Sequence, residues 1–96
     1  MFPGLDSKCS EALLASAATI NPRNDIVRLT GSTAIATIVP QFGGGFSGLL
    51  ILVPTDGTLG LLTTGNIAVA VTMPQNRATV LVYSKAANVW YPGAIS

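Results

Sequence analysis

Short apolar segments alternate along the chain with clusters of Gly, Pro, Asn, Asp and Ser, a spacing that predicts strands separated by tight turns. Ile26-Val27-Arg28-Leu29-Thr30 reads as a strand entered from the turn Asn21-Pro22-Arg23-Asn24-Asp25, and Gly31-Ser32 leads into a second strand, Thr33 to Val39, stopped by Pro40. The loop Phe42-Gly43-Gly44-Gly45-Phe46-Ser47-Gly48 follows. Next, Leu49-Leu50-Ile51-Leu52-Val53 is apolar at every position, as in a strand with both faces buried. A small domain rarely covers both faces of a strand by itself, so a neighbouring subunit is expected to cover one. Pro54-Thr55-Asp56-Gly57 has the residues of a β-turn, with Pro presetting φ and Gly taking the position that needs positive φ. Thr58 to Thr63 predicts another strand, Thr64-Gly65-Asn66 a turn, and Ile67 to Thr72 a strand with Ile67, Val69 and Val71 on one face. Pro74-Gln75-Asn76-Arg77 turns into Ala78 to Tyr83, and Ser84 to Asn88 leads to Val89-Trp90-Tyr91, ended by Pro92-Gly93. About seven short strands at spacings of roughly 8–12 residues predict an all-β fold, a small sandwich or barrel-like module.

The N-terminal part reads differently. Ser10-Glu11-Ala12-Leu13-Leu14-Ala15 fits a short helix capped by Ser10, while Ala15 to Ile20 fits a strand equally well, so residues 10–20 stay open between helix and strand. The chain accordingly divides into an N-terminal arm, residues 1–18, and a β module, residues 19–96. Phe2, Leu5, Leu13 and Leu14 are the arm's candidate anchors on another surface.

Composition changes how these elements are read. The apolar fraction is 49% and only 9% of the 96 residues are charged, against about 25% in ordinary soluble domains. High hydrophobicity argues for an ordered chain, and the scarcity of charge argues that much of its surface is covered by something else. The apolar run ended by Pro54 is far shorter than the roughly 20 residues of a spanning helix, so no membrane association is expected. The first residues carry no basic segment ahead of an apolar one, which predicts synthesis in a cytosol rather than export. The basic residues Lys8, Arg23, Arg28, Arg77 and Lys85 are scattered singly, which excludes the clustered charge of a nucleic-acid binder. Cys9 is the only cysteine and has no intramolecular disulfide partner.

Candidate chemistry is equally sparse. There is no histidine, the usual general base and the activator of serine or cysteine nucleophiles. One cysteine without histidine cannot supply a zinc site, and Asp6, Glu11, Asp25 and Asp56 stand in four separate segments. Asp25 and Asp56 sit in turn contexts, where the carboxylate serves as a local hydrogen-bond acceptor. The triple glycine lacks the Gly-Lys-Ser/Thr ending of a phosphate loop and precedes a strand, not a helix. Trp90-Tyr91 reads as a core or interface lid before it reads as a sugar platform, since no polar cluster surrounds it. No enzyme activity, cofactor or metal is expected.

The order of the pieces carries a resemblance. Leu29-Thr30-Gly31-Ser32-Thr33-Ala34-Ile35-Ala36-Thr37-Ile38 is followed by Gly45-Phe46-Ser47-Gly48-Leu49-Leu50-Ile51-Leu52. Then come Gly57-Thr58-Leu59, Gly65-Asn66-Ile67, Thr79-Val80-Leu81-Val82-Tyr83 and Asn88-Val89-Trp90-Tyr91-Pro92. Over about residues 19–92 this resembles a β module of small tailed-phage virion proteins. The resemblance implies an intertwined homotrimer with a shared core, found in fibres and spikes and in capsid decoration (cement) proteins. It implies a location on the virion, at the capsid surface, with the major capsid protein as partner, and the short chain favours a stand-alone decoration protein. The alternative is a tail or fibre component whose module trimerises or recognises a host surface, a saccharide included; a β module unrelated to virions is the third. On the decoration reading, Phe42, Phe46, Leu50, Leu52 and Trp90 are the candidate trimer interface, and Phe2, Leu5, Leu13 and Leu14 the candidate capsid anchors.

Overall fold

The structure, a computed structural model, describes residues 11–40 and 45–95. These residues fold into nine strands: β1 (Glu11–Ala15), β2 (Thr19–Ile20), β3 (Ile26–Thr30), β4 (Thr37–Ile38), β5 (Gly48–Pro54), β6 (Leu59–Leu61), β7 (Val71–Met73), β8 (Thr79–Ser84) and β9 (Val89–Ile95). Five of them form one mixed sheet in the order β1-β3-β5-β8-β9, and the rest pair as β2-β4 and β6-β7. The fold is all-β, and its radius of gyration of 12.5 Å is that of a compact chain of this length.

The main sheet takes its register from the apolar pattern of its inner face. β1 runs parallel to β3 and β3 parallel to β5, placing Ala12 beside Val27 and Val27 beside Leu52. β8 is antiparallel to both β5 and β9, so Leu50 lies opposite Leu81 and Tyr83 opposite Trp90. Val27, Leu29, Leu50, Leu52, Leu81, Tyr83 and Trp90 thereby share one face and are buried. The short ladders supply the other side of the core through Ile20, Ile38, Leu59, Leu61 and Met73, with Ile35 bridging to Leu61 and Ile67 to Trp90.

Several expectations change. Glu11–Ala15 is a strand at the edge of the main sheet and not a helix, and Leu14 and Ala17 pack on the core. The chain is therefore part of the β fold from Glu11, earlier than the expected boundary at residue 18; residues 1–10 lie outside the described residues. Of the stretch Thr33 to Val39, only Thr37–Ile38 forms a strand, because Ala36 and Thr37 both donate to the Ala18 carbonyl. The stretch Ile67 to Thr72 divides in the same way. Trp90 donates to the Asn66 carbonyl and Ala68 donates to the Trp90 carbonyl, which holds Ile67 as a lone bridge, and regular pairing resumes only at Val71–Met73. Val69 consequently faces solvent while Ile67 is buried. Pro92 does not end the last strand: β9 runs on to Ile95, past a register shift between Thr79 and Leu81. A proline without an N–H is tolerated at the edge of a sheet.

Candidate functional site

The strand with the continuous apolar run buries one face only. In β5, Leu50, Leu52 and Pro54 point into the core, whereas Leu49 is exposed and Ile51 and Val53 are half-buried. Alternation carries the same distinction across all five strands. The outward residues are Glu11, Leu13 and Ala15 of β1, Ile26, Arg28 and Thr30 of β3, Val80 and Val82 of β8, and Val89 and Tyr91 of β9.

Pairing assembles these residues into rows across the sheet. Leu49 lies beside Val82, and Val82 beside Tyr91; Ile26 lies beside Ile51, and Ile51 beside Val80. Leu13 (56% exposed), Leu49 (58%), Val82 (42%) and Tyr91 (45%) present large apolar side chains on this one outer face. The only charged residues in the five strands are Glu11 and Arg28, and they pair with each other: Arg28 Nε lies 2.6 Å from a Glu11 carboxylate oxygen. The face is apolar and, within the strands, electrically balanced.

The expected interface residues divide between inside and outside. Leu50, Leu52 and Trp90 are fully buried in the chain's own core, with no surface to offer a neighbour. Trp90 stacks at a tilt against Tyr83, ring centroids 5.1 Å apart, and its indole N–H donates to the Ile38 carbonyl at 3.0 Å. Phe46 is 67% exposed in the loop before β5, and Phe42 lies outside the described residues. Of the expected anchors, Leu13 is on the outer face and Leu14 packs inward, while Phe2 and Leu5 lie outside the described residues. Trp90 and its neighbour Tyr91 point to opposite faces of the sheet, so they do not form a joint aromatic platform.

The sequence pointed to Tyr91 as part of a core or interface lid and to one covered face of Leu49–Val53, but not to which face, nor to Val80 and Val82 beside it. The signal for that face lies in β3, where Arg28 alternates with buried Val27 and Leu29 and marks the phase that faces out. Parallel pairing transfers that phase to β5, with Arg28 opposite Val53, and β5 by itself is apolar in both phases.

Other features of the described residues have local structural roles. Asp56 Oδ2 accepts from the Gly31 N–H at 2.7 Å, which ties the β5–β6 turn to the end of β3. Gly31 itself has a positive φ of 79°. Thr55 donates from both its N–H and its hydroxyl to the Leu29 carbonyl, and Gln75 Nε2 donates back to the Thr55 carbonyl. An open depression of about 210 Å³ beside β6 and β7 is lined by Gly60, Leu61, Leu62, Ala70, Val71 and Thr72. That lining offers one hydroxyl and no ionisable side chain. Among the described residues, no three His, Cys, Asp or Glu side chains converge as a metal site would require, and no helix is long and apolar enough to cross a membrane. No protein-family model, curated protein or solved structure matches the chain.

Proposed function

We propose that this chain is a non-enzymatic structural protein that works by assembly, as a trimeric decoration protein on a tailed-phage capsid. One observation carries the reading: the apolar outer face of the main sheet, in a fold whose own core is already complete on the other side. A contiguous apolar sheet face of this kind marks a contact surface. The resemblance of residues 19–92 to small phage virion modules supplies the setting in which sister copies and a capsid do the covering. In that setting the protein stabilises the shell by mass action, since binding only the assembled lattice shifts the equilibrium toward it.

The test is a copy count. In purified virions that carry this chain, quantitative mass spectrometry should find hundreds of copies per particle, in fixed ratio to the major capsid protein. A count of a dozen or fewer would overturn the decoration reading and point to the tail or fibre alternative. Absence from the particle would overturn both.

A further inference from the structure

Resting on the assembly reading, we infer that copies of this chain meet through the outer face of the five-stranded sheet, centred on the row Leu49, Val82 and Tyr91. The occupant of the face is one other copy of the chain, sheet against sheet, a two-fold contact additional to the threefold contacts of the proposed trimer.

Charge is the first reason. A face that meets its own copies must not carry net charge, or it repels itself. Here Glu11 and Arg28, the only charged residues in the sheet, satisfy each other within one chain. Covering the face therefore requires no counter-charge from the partner, and leaves no isolated ion behind when water is removed. A basic or acidic partner would find nothing on this face to read. A copy of the same apolar, internally neutralised surface is complementary without further design.

Area is the second. Five strands about 4.8 Å apart span about 24 Å, and strands of five to seven residues run for about 20 Å. The face thus covers roughly 500 Å² in projection, and more once side-chain relief is counted. Two such faces clear the roughly 1,000 Å² that separates stable interfaces from incidental contacts.

Side-chain type is the third. Tyr91 and the branched residues Leu49, Ile51, Val53, Val80 and Val82 lose little conformational freedom when covered, and aromatic residues are enriched where proteins meet. The buried core residues Leu50, Leu52 and Trp90 play no part in the contact; their outward neighbours in sequence do. A one-residue step along a strand is a change of face.

The experiment is sedimentation of the full chain from about 1 to 200 µM, wild type against Val82→Glu and Leu49→Glu, each a site where an introduced carboxylate reaches water in the free monomer. Wild type should sediment as an even multiple of 9.8 kDa, and an odd multiple would overturn the two-fold contact. Both variants should fall to half the wild-type mass, with association through this face weakened at least about 100-fold, because like charges would be apposed across a dry contact. Near-ultraviolet circular dichroism from Tyr83 and Trp90 reports that each variant is folded. Mixing Val82→Glu with Val82→Lys chains should restore the wild-type mass, a rescue that a merely structural defect would not show. Variants that keep the wild-type mass would overturn the face while leaving assembly intact. A monomeric wild type would overturn self-association, including when deletion of residues 1–10 creates an oligomer and so identifies the arm as the cover. The virion copy count is independent of all these outcomes, so failure of the face and failure of the decoration reading are told apart.

Discussion

The side chain of Asn66 brackets the backbone of Ile38: its Oδ1 accepts from the Ile38 N–H at 2.9 Å, and its Nδ2 donates to the Ile38 carbonyl at 2.7 Å. This is the two-bond exchange of a hydrogen-bonded residue pair in a ladder, made by a side-chain amide in place of a second strand. Trp90 Nε1 donates to the same carbonyl, which links the Gly65-Asn66-Ile67 turn, β4 and β9 at one oxygen. Asn66→Asp keeps the acceptor but sets a second oxygen against the Ile38 carbonyl, and Asn66→Ala leaves the Ile38 N–H without its partner. Each is expected to cost about 2–3 kcal/mol, read as a lower urea midpoint from the fluorescence of the single tryptophan.

Gly65 fails differently from its neighbour. A Cβ added there would overlap the Ala36 carbonyl oxygen and the Thr37 hydroxyl, and backbone cannot retreat as a flexible side chain can. Gly65→Ala should therefore destabilise by at least about 3 kcal/mol, at or beyond the upper end of overpacking effects. The check is soluble yield together with the thermal midpoint.

For Trp90, packing outweighs hydrogen bonding. Trp90→Phe removes one donor from a carbonyl that Asn66 still satisfies, so the loss should be about 1–2 kcal/mol. Trp90→Ala empties a fully buried site against Tyr83 and should cost about 3–5 kcal/mol. Denaturation followed by far-ultraviolet circular dichroism gives both values without the indole as a probe.

Thr79 is the buried polar side chain whose hydroxyl oxygen finds no hydrogen-bond partner among the described residues. Thr79→Val has the same shape and removes the unsatisfied group, so it should stabilise the fold by up to about 1 kcal/mol. A lower urea midpoint for Thr79→Val would mean that the hydroxyl is satisfied in solution.

The Glu11–Arg28 pair joins two side chains that are each about half exposed. Glu11→Gln should change stability by less than about 1 kcal/mol, as exposed pairs do. Its effect on assembly should be larger, because it leaves Arg28 unbalanced on the face where copies meet. Sedimentation at low and high salt separates the two, with salt restoring association by screening the unbalanced charge.

The β3, β5 and β8 segments were legible in the sequence because each is a short run rich in β-branched or apolar residues with a turn on either side. The turn roles of Asp56 and Gly31 were legible for the same local reason. Glu11–Ala15 was not, because a five-residue stretch rich in Ala and Leu suits a helix as well as a strand, and only the ladder with β3 selects the strand. Ile67 to Thr72 misled because its alternation is real, but Trp90 takes the backbone groups on either side of Ile67.

By itself the sequence determined an all-β chain with few charges and turns at defined places, since those follow from residue type and local spacing. It did not determine which face of β5 looks outward, because Leu49 to Val53 is apolar in both phases. The tertiary structure decided that point: pairing β5 with Arg28-bearing β3 on one side and β8 on the other sends Leu50 and Leu52 to the core and Leu49 and Val82 to the surface. The physical reason is that a strand's period of two gives a face no identity until a partner fixes the register, and the partners here lie more than twenty residues away in sequence.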